Sequence, residues 1–146
     1  MINLSKFAEN LSDLIFDKGI TQKQLAESTG LDAASICKYL EANRMPTVDA
    51  IIKLADYFNC SVDFLLGVNE EKSNSKFLPC PPFSERLEYF LSVYGHSGHK
   101  LCKEAGLPDS RFYHWKNGTH APSLESVEKL AIFFKCPIDF VLGREK

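Results

Sequence analysis

The sequence predicts an all-α fold made of two tandem copies of one five-helix unit. Three observations carry this. Shifted by 76 residues, the chain aligns with itself without a gap, 7–68 on 83–144, with 17 of the 62 paired positions identical. Apolar residues recur at the 3.6-residue spacing of half-buried helices, and no stretch alternates with the period of two that a strand needs. The apolar runs are short, opened by Ser, Thr or Asp and closed by Gly, the residues that start and stop helices. The identities include Phe7/Phe83, Leu11/Leu87, Leu25/Leu101, Gly30/Gly106, Pro46/Pro122, Phe58/Phe134 and Gly67/Gly143, which are core and turn types.

In the first copy the spacing of Phe7, Leu11, Leu14 and Ile15 predicts a helix from Leu4 to Lys18, ended by Gly19. Thr21 caps a second helix, and Gln24 three residues on completes a capping box. Leu25 and Ala26 face inward, and Gly30 suits the left-handed residue that closes a helix. Asp32 caps a third helix with Ile36, Tyr39 and Leu40 as its buried stripe. Pro46 and Thr47 start a fourth, with Val48, Ile51, Leu54, Ala55 and Phe58 inward. Ser61 starts a short fifth that ends at Gly67. The expected organisation is domain 1 over 1–68, a linker over 69–82 and domain 2 over 83–146. The linker, "NEEKSNSKFLPCPP", is polar and then proline-rich, and Phe77 and Leu78 are candidates to dock on a neighbouring surface.

The stretch "TQKQLAESTGLD" spends a whole helix on eight residues and turns at once into another. A short helix, a turn containing Gly and a second short helix form a helix-turn-helix, in which the second helix is held proud of the body. DNA-binding versions insert that helix into the major groove by its N-terminal residues while the first crosses the backbone.

Gln22, Leu25-Ala26, Gly30-Leu31, Ile36, Tyr39, Glu41, Pro46-Thr47, Leu54-Ala55, Phe58, Asp63 and Leu65-Leu66 stand at a combined spacing that resembles the phage-repressor/Cro-like (XRE) helix-turn-helix family. Both copies resemble it. The resemblance implies two tandem five-helix lambda-repressor-like helix-turn-helix domains, and a cytoplasmic transcriptional regulator of prokaryotic or phage type, a repressor rather than an activator, that reads double-stranded DNA with the third helix of each copy. By position it gives Gln22 the role of phosphate contact, flanked by Thr21 and Lys23. It sets Ala33, Ala34, Ser35 and Lys38 on the reading face, and Asn43 and Arg44 against the backbone. Lysine can donate to guanine acceptors, and alanine can touch a thymine methyl. In the second copy the matching reading positions are Asp109, Ser110 and His114, with Arg111 beside them; Lys100, Lys116, Asn117 and His120 are the further contacts. Two departures stand out. Gly98 replaces the glutamine in the second copy, and Ala42 stands where the second copy has Gly118, so the first reading helix is expected to exit another way, through Asn43.

Charge is divided unevenly. Residues 1–72 hold seven Lys/Arg against eleven Asp/Glu, and residues 73–146 hold ten against eight. Phosphate neutralisation supplies much of the affinity for DNA, so the first copy has the better motif and the second the better field. A chain folding back through the linker can act as an intrachain pseudo-dimer on an asymmetric site. The rival is a homodimer in which one copy reads and the other pairs chains. A further alternative is a protein-interaction or dimerisation module, antitoxin-like or co-regulator, in which one or both copies no longer bind DNA; the acidic first copy favours it.

Other classes find little support. No run approaches the length of a membrane span, and "MINLSKFAENL" lacks the basic start of a signal peptide. Five cysteines, odd in number and widely spaced, read as reduced thiols; Cys60 and Cys136 fall at one core position, and Cys37 on the surface of the third helix. His96-x-x-His99 with Cys102 has metal-like spacing, but no fourth ligand is apparent, and solvated or phosphate-facing histidines are the preferred reading. No phosphate loop, nucleophile elbow or HExxH is present, so neither enzyme nor cofactor is expected.

Overall fold

A computed structural model describes residues 2–70 and 77–145; residues 71–76 of the expected linker, with Met1 and Lys146, lie outside the described residues. The chain divides into two compact units, residues 1–77 and 78–146. All regular structure among the described residues is helical. Unit 1 holds α1 (Leu4–Lys18), α2 (Gln22–Thr29), α3 (Ala33–Leu40), α4 (Val48–Phe58) and α5 (Val62–Leu65). Unit 2 repeats the order with α6 (Phe83–Tyr94), α7 (Gly98–Ala105), α8 (Asp109–Asn117), α9 (Leu124–Phe134) and α10 (Ile138–Leu142).

The caps act as their residue types dictate. The Thr21 hydroxyl accepts from the Gln24 N–H at 3.1 Å, and Gln24 Oε1 accepts from the Thr21 N–H at 2.9 Å, a complete capping box. Asn3, Asp32, Thr47 and Ser61 cap α1, α3, α4 and α5 with their side chains. Unit 2 keeps a side-chain cap at Ser97 and Ser123, but Pro82, Pro108 and Pro137 open α6, α8 and α10 without one. Proline's fixed φ suits a helix start even without a hydroxyl.

The exit of α3 differs from expectation. Ala42 itself takes the left-handed conformation, φ 59°, in place of Asn43. Its N–H bonds the Tyr39 carbonyl and the Asn43 N–H reaches the Lys38 carbonyl at 3.0 Å, so the turn closes as it does at Gly118 in unit 2. A non-glycine residue there costs about 1–2 kcal/mol, which the packing on either side must offset.

In unit 1, α1 packs on α3 and α5, α2 on α3 and α4, and α4 on α5. Phe7, Leu11, Leu25, Ile36, Ile51, Leu54, Val62 and Leu65 are fully buried where these helices meet. Tyr39 and Trp115 are core residues of their units. Cys60 is buried as expected, whereas Cys136 is half-buried. In unit 2, α6 packs on α7, α8 and α10, and α9 on α7 and α10.

Buried polar groups are satisfied: no buried side-chain N or O among the described residues lacks a hydrogen bond. Asn10 Nδ2 donates to the Phe64 carbonyl at 2.8 Å, and at the matching place Arg86 donates to the Phe140 and Val141 carbonyls. Unit 2 adds a fully buried ion pair, Asp139 with Arg144. Leu78 is tied to unit 2 by its N–H, which donates to the Arg144 carbonyl at 2.8 Å.

Candidate nucleic-acid interface

The capping box determines what α2 presents at its start. It uses the N–H groups of Thr21 and Gln24, leaving those of Gln22 and Lys23, on the first turn, aimed outward. Both side chains are exposed. The turn at Gly30 (φ 76°) then brings in Asp32, which accepts from the Ala34 N–H at 3.4 Å and orients the start of α3. Because Ile36 and Tyr39 hold the opposite face in the core, Ala33, Ala34 and Lys38 are exposed, with Ser35 half-buried beside them. Arg44 folds back so that Nη1 donates to Ser35 Oγ at 3.3 Å. Lys23 and Lys38 make no ion pair among the described residues. The structure thus brings Ala33, Ala34, Ser35, Lys38 and Arg44 onto one helix and its exit, beside the start of α2.

Sequence reasoning missed two features of this surface. Glu41 accepts from Asn43 Nδ2 at 3.1 Å, so Asn43 is engaged by a carboxylate and not simply presented. The same carboxylate takes the Cys37 thiol at 3.5 Å; this hydrogen bond and the negative charge push the thiol pKa up. An i,i+4 Cys-Glu pair on an exposed helix face was the available signal.

In unit 2 the predicted residues again gather on one helix and its exit. Ser110, Arg111, His114, Lys116 and Asn117 are exposed on α8, His120 follows it, and Lys100 lies on α7. Their surroundings differ from unit 1. Asp109 opens α8 and pairs with His99 Nδ1 at 3.1 Å. Thr119 organises the exit: its hydroxyl donates to Asn117 Oδ1 at 2.6 Å and lies 3.1 Å from His114 Nδ1. The His114 and His120 rings stack at 4.7 Å. Lys100 is within 4.0 Å of Glu104. Arg111 and Lys116 make no ion pair among the described residues. Tyr113, exposed on α8 beside His114, escaped sequence reasoning because its partner position in the first copy is a cysteine.

Gly98 has a structural cause. A Cβ at that position would lie 2.6 Å from Phe112 Cε1. Phe112 replaces the smaller Ile36 of unit 1, and its ring occupies the space above the first turn of α7. A glutamine at position 98, the residue that stands at the matching position of unit 1, would therefore have to displace the Phe112 ring.

The His96, His99 and Cys102 spacing does not assemble into a metal group. Cys102 is buried, its thiol pushed up to about 12 mainly by that burial. His99 faces Asp109, and His96 packs against Tyr94. Among the described residues no group of three or more His, Cys, Asp or Glu could hold a metal ion.

A capped short helix, a glycine turn and a second helix whose N-terminal half is exposed define a helix-turn-helix protein. The helix-turn-helix family model matches residues 17–65, from the end of α1 through α5. The HTH-type transcriptional regulator ImmR of Bacillus subtilis is 36% identical over 71 residues, covering 48% of this chain and 56% of that protein. An uncharacterized HTH-type transcriptional regulator of Rickettsia prowazekii is 35% identical over 63 residues, covering 40% of this chain and 68% of that protein. The crystal structure of a transcriptional regulator from Listeria innocua matches with a TM-score of 0.41 and 29% identity, over 66% of this chain and 83% of that one. The chain spans somewhat more than half of the first of these relatives. It belongs to the helix-turn-helix family that these HTH-type regulators share. No helix among the described residues is long and apolar enough to cross a membrane.

Proposed function

We propose that this chain is a sequence-specific regulator of transcription that binds double-stranded DNA in the major groove through α3. The observation that carries this is the exposed start of α3, with Ala33, Ala34 and Lys38 outward, set between the open first turn of α2 and Arg44. A phosphate at the start of α2 meets the free N–H groups of Gln22 and Lys23, the positive end of the helix dipole and the Gln22 amide, with Thr21 and Lys23 beside it. That contact fixes the register and α3 reads the sequence. Ala33 and Ala34 suit thymine methyls, and Lys38 donates to guanine O6 or N7. Arg44 and Asn43 hold the adjacent backbone. Occupancy of the groove excludes competing proteins, so the regulation proposed is repression.

Unit 2 is a second copy of the same family's domain on this reading, with α8 as its reading helix. Asp109, Ser110 and His114 stand at its reading positions, with Arg111 beside them; Lys100, Lys116, Asn117 and His120 are its backbone contacts. The two copies together then form an intrachain pseudo-dimer on an asymmetric site. Two observations favour a second reading for this unit, in which it contributes little to binding. Gly98 supplies no side chain to a phosphate, and Asp109 sets a carboxylate at the head of α8.

Selection from a random duplex pool, followed by binding of the winners at two salt concentrations, separates these readings. A two-part motif whose affinity falls steeply with salt is the result expected if both helices read. A single half-site, insensitive to Arg111→Ala, assigns reading to α3 alone. No enrichment, with weak binding of every sequence, overturns the regulator reading.

A further inference from the structure

The two units are copies of one fold, so positions where their surfaces differ report what each surface meets. A concerted difference lies on the third helix of each unit and its exit. Where unit 1 carries Cys37, Lys38 and Arg44, unit 2 carries Tyr113, His114 and His120, three rings at places where unit 1 has none. All three are exposed, Tyr113 at 66% of its full accessibility. They form a continuous row: Tyr113 meets His114 edge-on at 5.8 Å, and the His114 and His120 rings lie 4.7 Å apart, tilted by 33°. The middle of the row is anchored, since His114 Nδ1 lies 3.1 Å from the Thr119 hydroxyl, which itself donates to Asn117 Oδ1. The same comparison adds cations. Ser35 and Leu40 of unit 1 are matched by Arg111 and Lys116, neither of which makes an ion pair among the described residues, and the Glu41 carboxylate is matched by neutral Asn117. At about 100° per helical residue, Arg111 lies about 60° to one side of His114, and Lys116 about 60° beyond Tyr113 on the other. Asp109, one turn before Tyr113, is taken by His99 at 3.1 Å.

We infer that this face of unit 2 is a stacking platform for single-stranded nucleic acid, with Tyr113, His114 and His120 under the bases and Arg111 and Lys116 on the phosphates. A duplex presents base edges in its grooves and keeps the base faces stacked inside. A row of rings finds no face there to lie on, whereas the unstacked bases of a single strand offer one at every step. Stacking tolerates any base, and cations on both sides of the row track the backbone of such a strand. Rings already held by Thr119 and by each other lose little freedom on binding. The inference rests on the second reading given above for unit 2, in which α8 contributes little to duplex binding. Gly98 and Asp109 weaken a contact with a groove, and neither belongs to the ring row. What α3 binds is a separate matter.

The test uses the full chain and fluorescence anisotropy. The probes are labelled oligouridine and oligodeoxythymidine of about 15 nucleotides, with a mixed-sequence duplex of the same length for comparison. The single strands are expected to bind at least about tenfold more tightly than the duplex. Tyr113→Ala with His120→Ala should weaken them about ten- to a hundredfold, whereas Tyr113→Phe, which keeps the ring, should leave binding within about twofold. Both positions are exposed, so alanine empties no core, and unchanged Trp115 fluorescence checks this. A preference for the ribose or the deoxyribose strand identifies the source, and either one supports the inference. A duplex bound as tightly as the single strands, or a double variant that binds them unchanged, overturns it. So does a selected duplex that the double variant weakens as much as the single strands. Lys38→Ala is read separately on a selected duplex: no loss there counts against the α3 reading and leaves the platform standing.

Discussion

Restoring the family's glutamine to unit 2 tests whether packing, rather than disuse, removed it. Gly98→Gln adds a Cβ that would sit 2.6 Å from Phe112 Cε1 and 3.3 Å from Cδ1 and Cζ. Replacing a helical glycine gains up to about 1 kcal/mol in backbone entropy. The ring cannot yield cheaply, because Phe112 is 6% exposed and wedged against Trp115 with centroids 6.1 Å apart. Overpacking of this kind costs about 1–3 kcal/mol, so the single substitution should lower the stability of unit 2 by about 1–2 kcal/mol despite the entropy gain. Phe112→Ile, the residue of unit 1, removes buried ring carbons and should cost about 2 kcal/mol. Together the glutamine stem occupies the space the ring vacates, and the pair should be at least about 1 kcal/mol more stable than the sum of the singles. Trp115 is the chain's sole tryptophan, so its fluorescence during urea unfolding follows unit 2 alone. If Gly98→Gln stabilises the unit, or if the two changes simply add, the steric argument is wrong.

Further outcomes follow from other contacts. Lys38→Ala should weaken binding of a selected duplex about ten- to a hundredfold and relax preference at one base pair, whereas Arg44→Ala should weaken all sequences alike and lower the salt slope by about one, both read by fluorescence anisotropy. Arg144→Ala removes the buried cation paired with Asp139 and should cost unit 2 several kcal/mol, about 3–5, by Trp115 fluorescence. Ala42→Gly relieves the left-handed strain and should raise the stability of unit 1 by up to about 1 kcal/mol, seen as a shift in the thermal transition by circular dichroism. Alkaline pH should loosen unit 2. Burial raises the Cys102 thiol from 9.0 to about 12, and the Glu104 hydrogen bond raises exposed Tyr94 from 10.0 to about 12. A raised folded pKa means the folded state holds its proton more tightly, so this stability is complete below about 9, falls as pH rises and is gone above about 12. A Trp115 unfolding midpoint that rises over that window would contradict it.

The fold was legible because its determinants are local. The Thr21/Gln24 capping box, the caps at Asp32, Thr47 and Ser61, and the stripes of α1 and α4 depend on neighbours within a turn or two. The candidate site positions Gln22, Ala33, Ala34 and Lys38 came from the resemblance to the Cro-like family, and helical phase accounts only for their exposure on α2 and α3. What escaped depends on contacts that close through space. The exit of α3 was expected through Asn43 because Ala42 stands where the second copy has Gly118, yet the left-handed conformation falls on Ala42 itself. Gly98 read as a weakness until the Phe112 ring, fourteen residues on, explained it. The pairing of His99 with Asp109 crosses a helix-turn-helix and has no fixed sequence spacing from which to be read.

The repeat supplies an internal control that a single domain lacks. Asn59 and Lys135 differ in chemistry, yet both close their helices at nearly the same left-handed angle, φ 51° and 54°. Ala42 and Gly118 do likewise at 59° and 81°, although alanine is strained there. Asn10 and Arg86 differ in size and charge and still serve the same carbonyl position, Phe64 in one unit and Phe140 in the other. The backbone is therefore set by the packing of the five helices and imposes its geometry on whatever residue arrives. Since the frame absorbs such changes, the exchanges of Gln22 for Gly98, Ala33 for Asp109 and Asp13 for Tyr89 are not demanded by backbone geometry. The first two change side chains at the starts of α2 and α7 and of α3 and α8, and the third changes one on α1 and α6. Divergence at these positions over one preserved frame is what the shared five-helix packing permits.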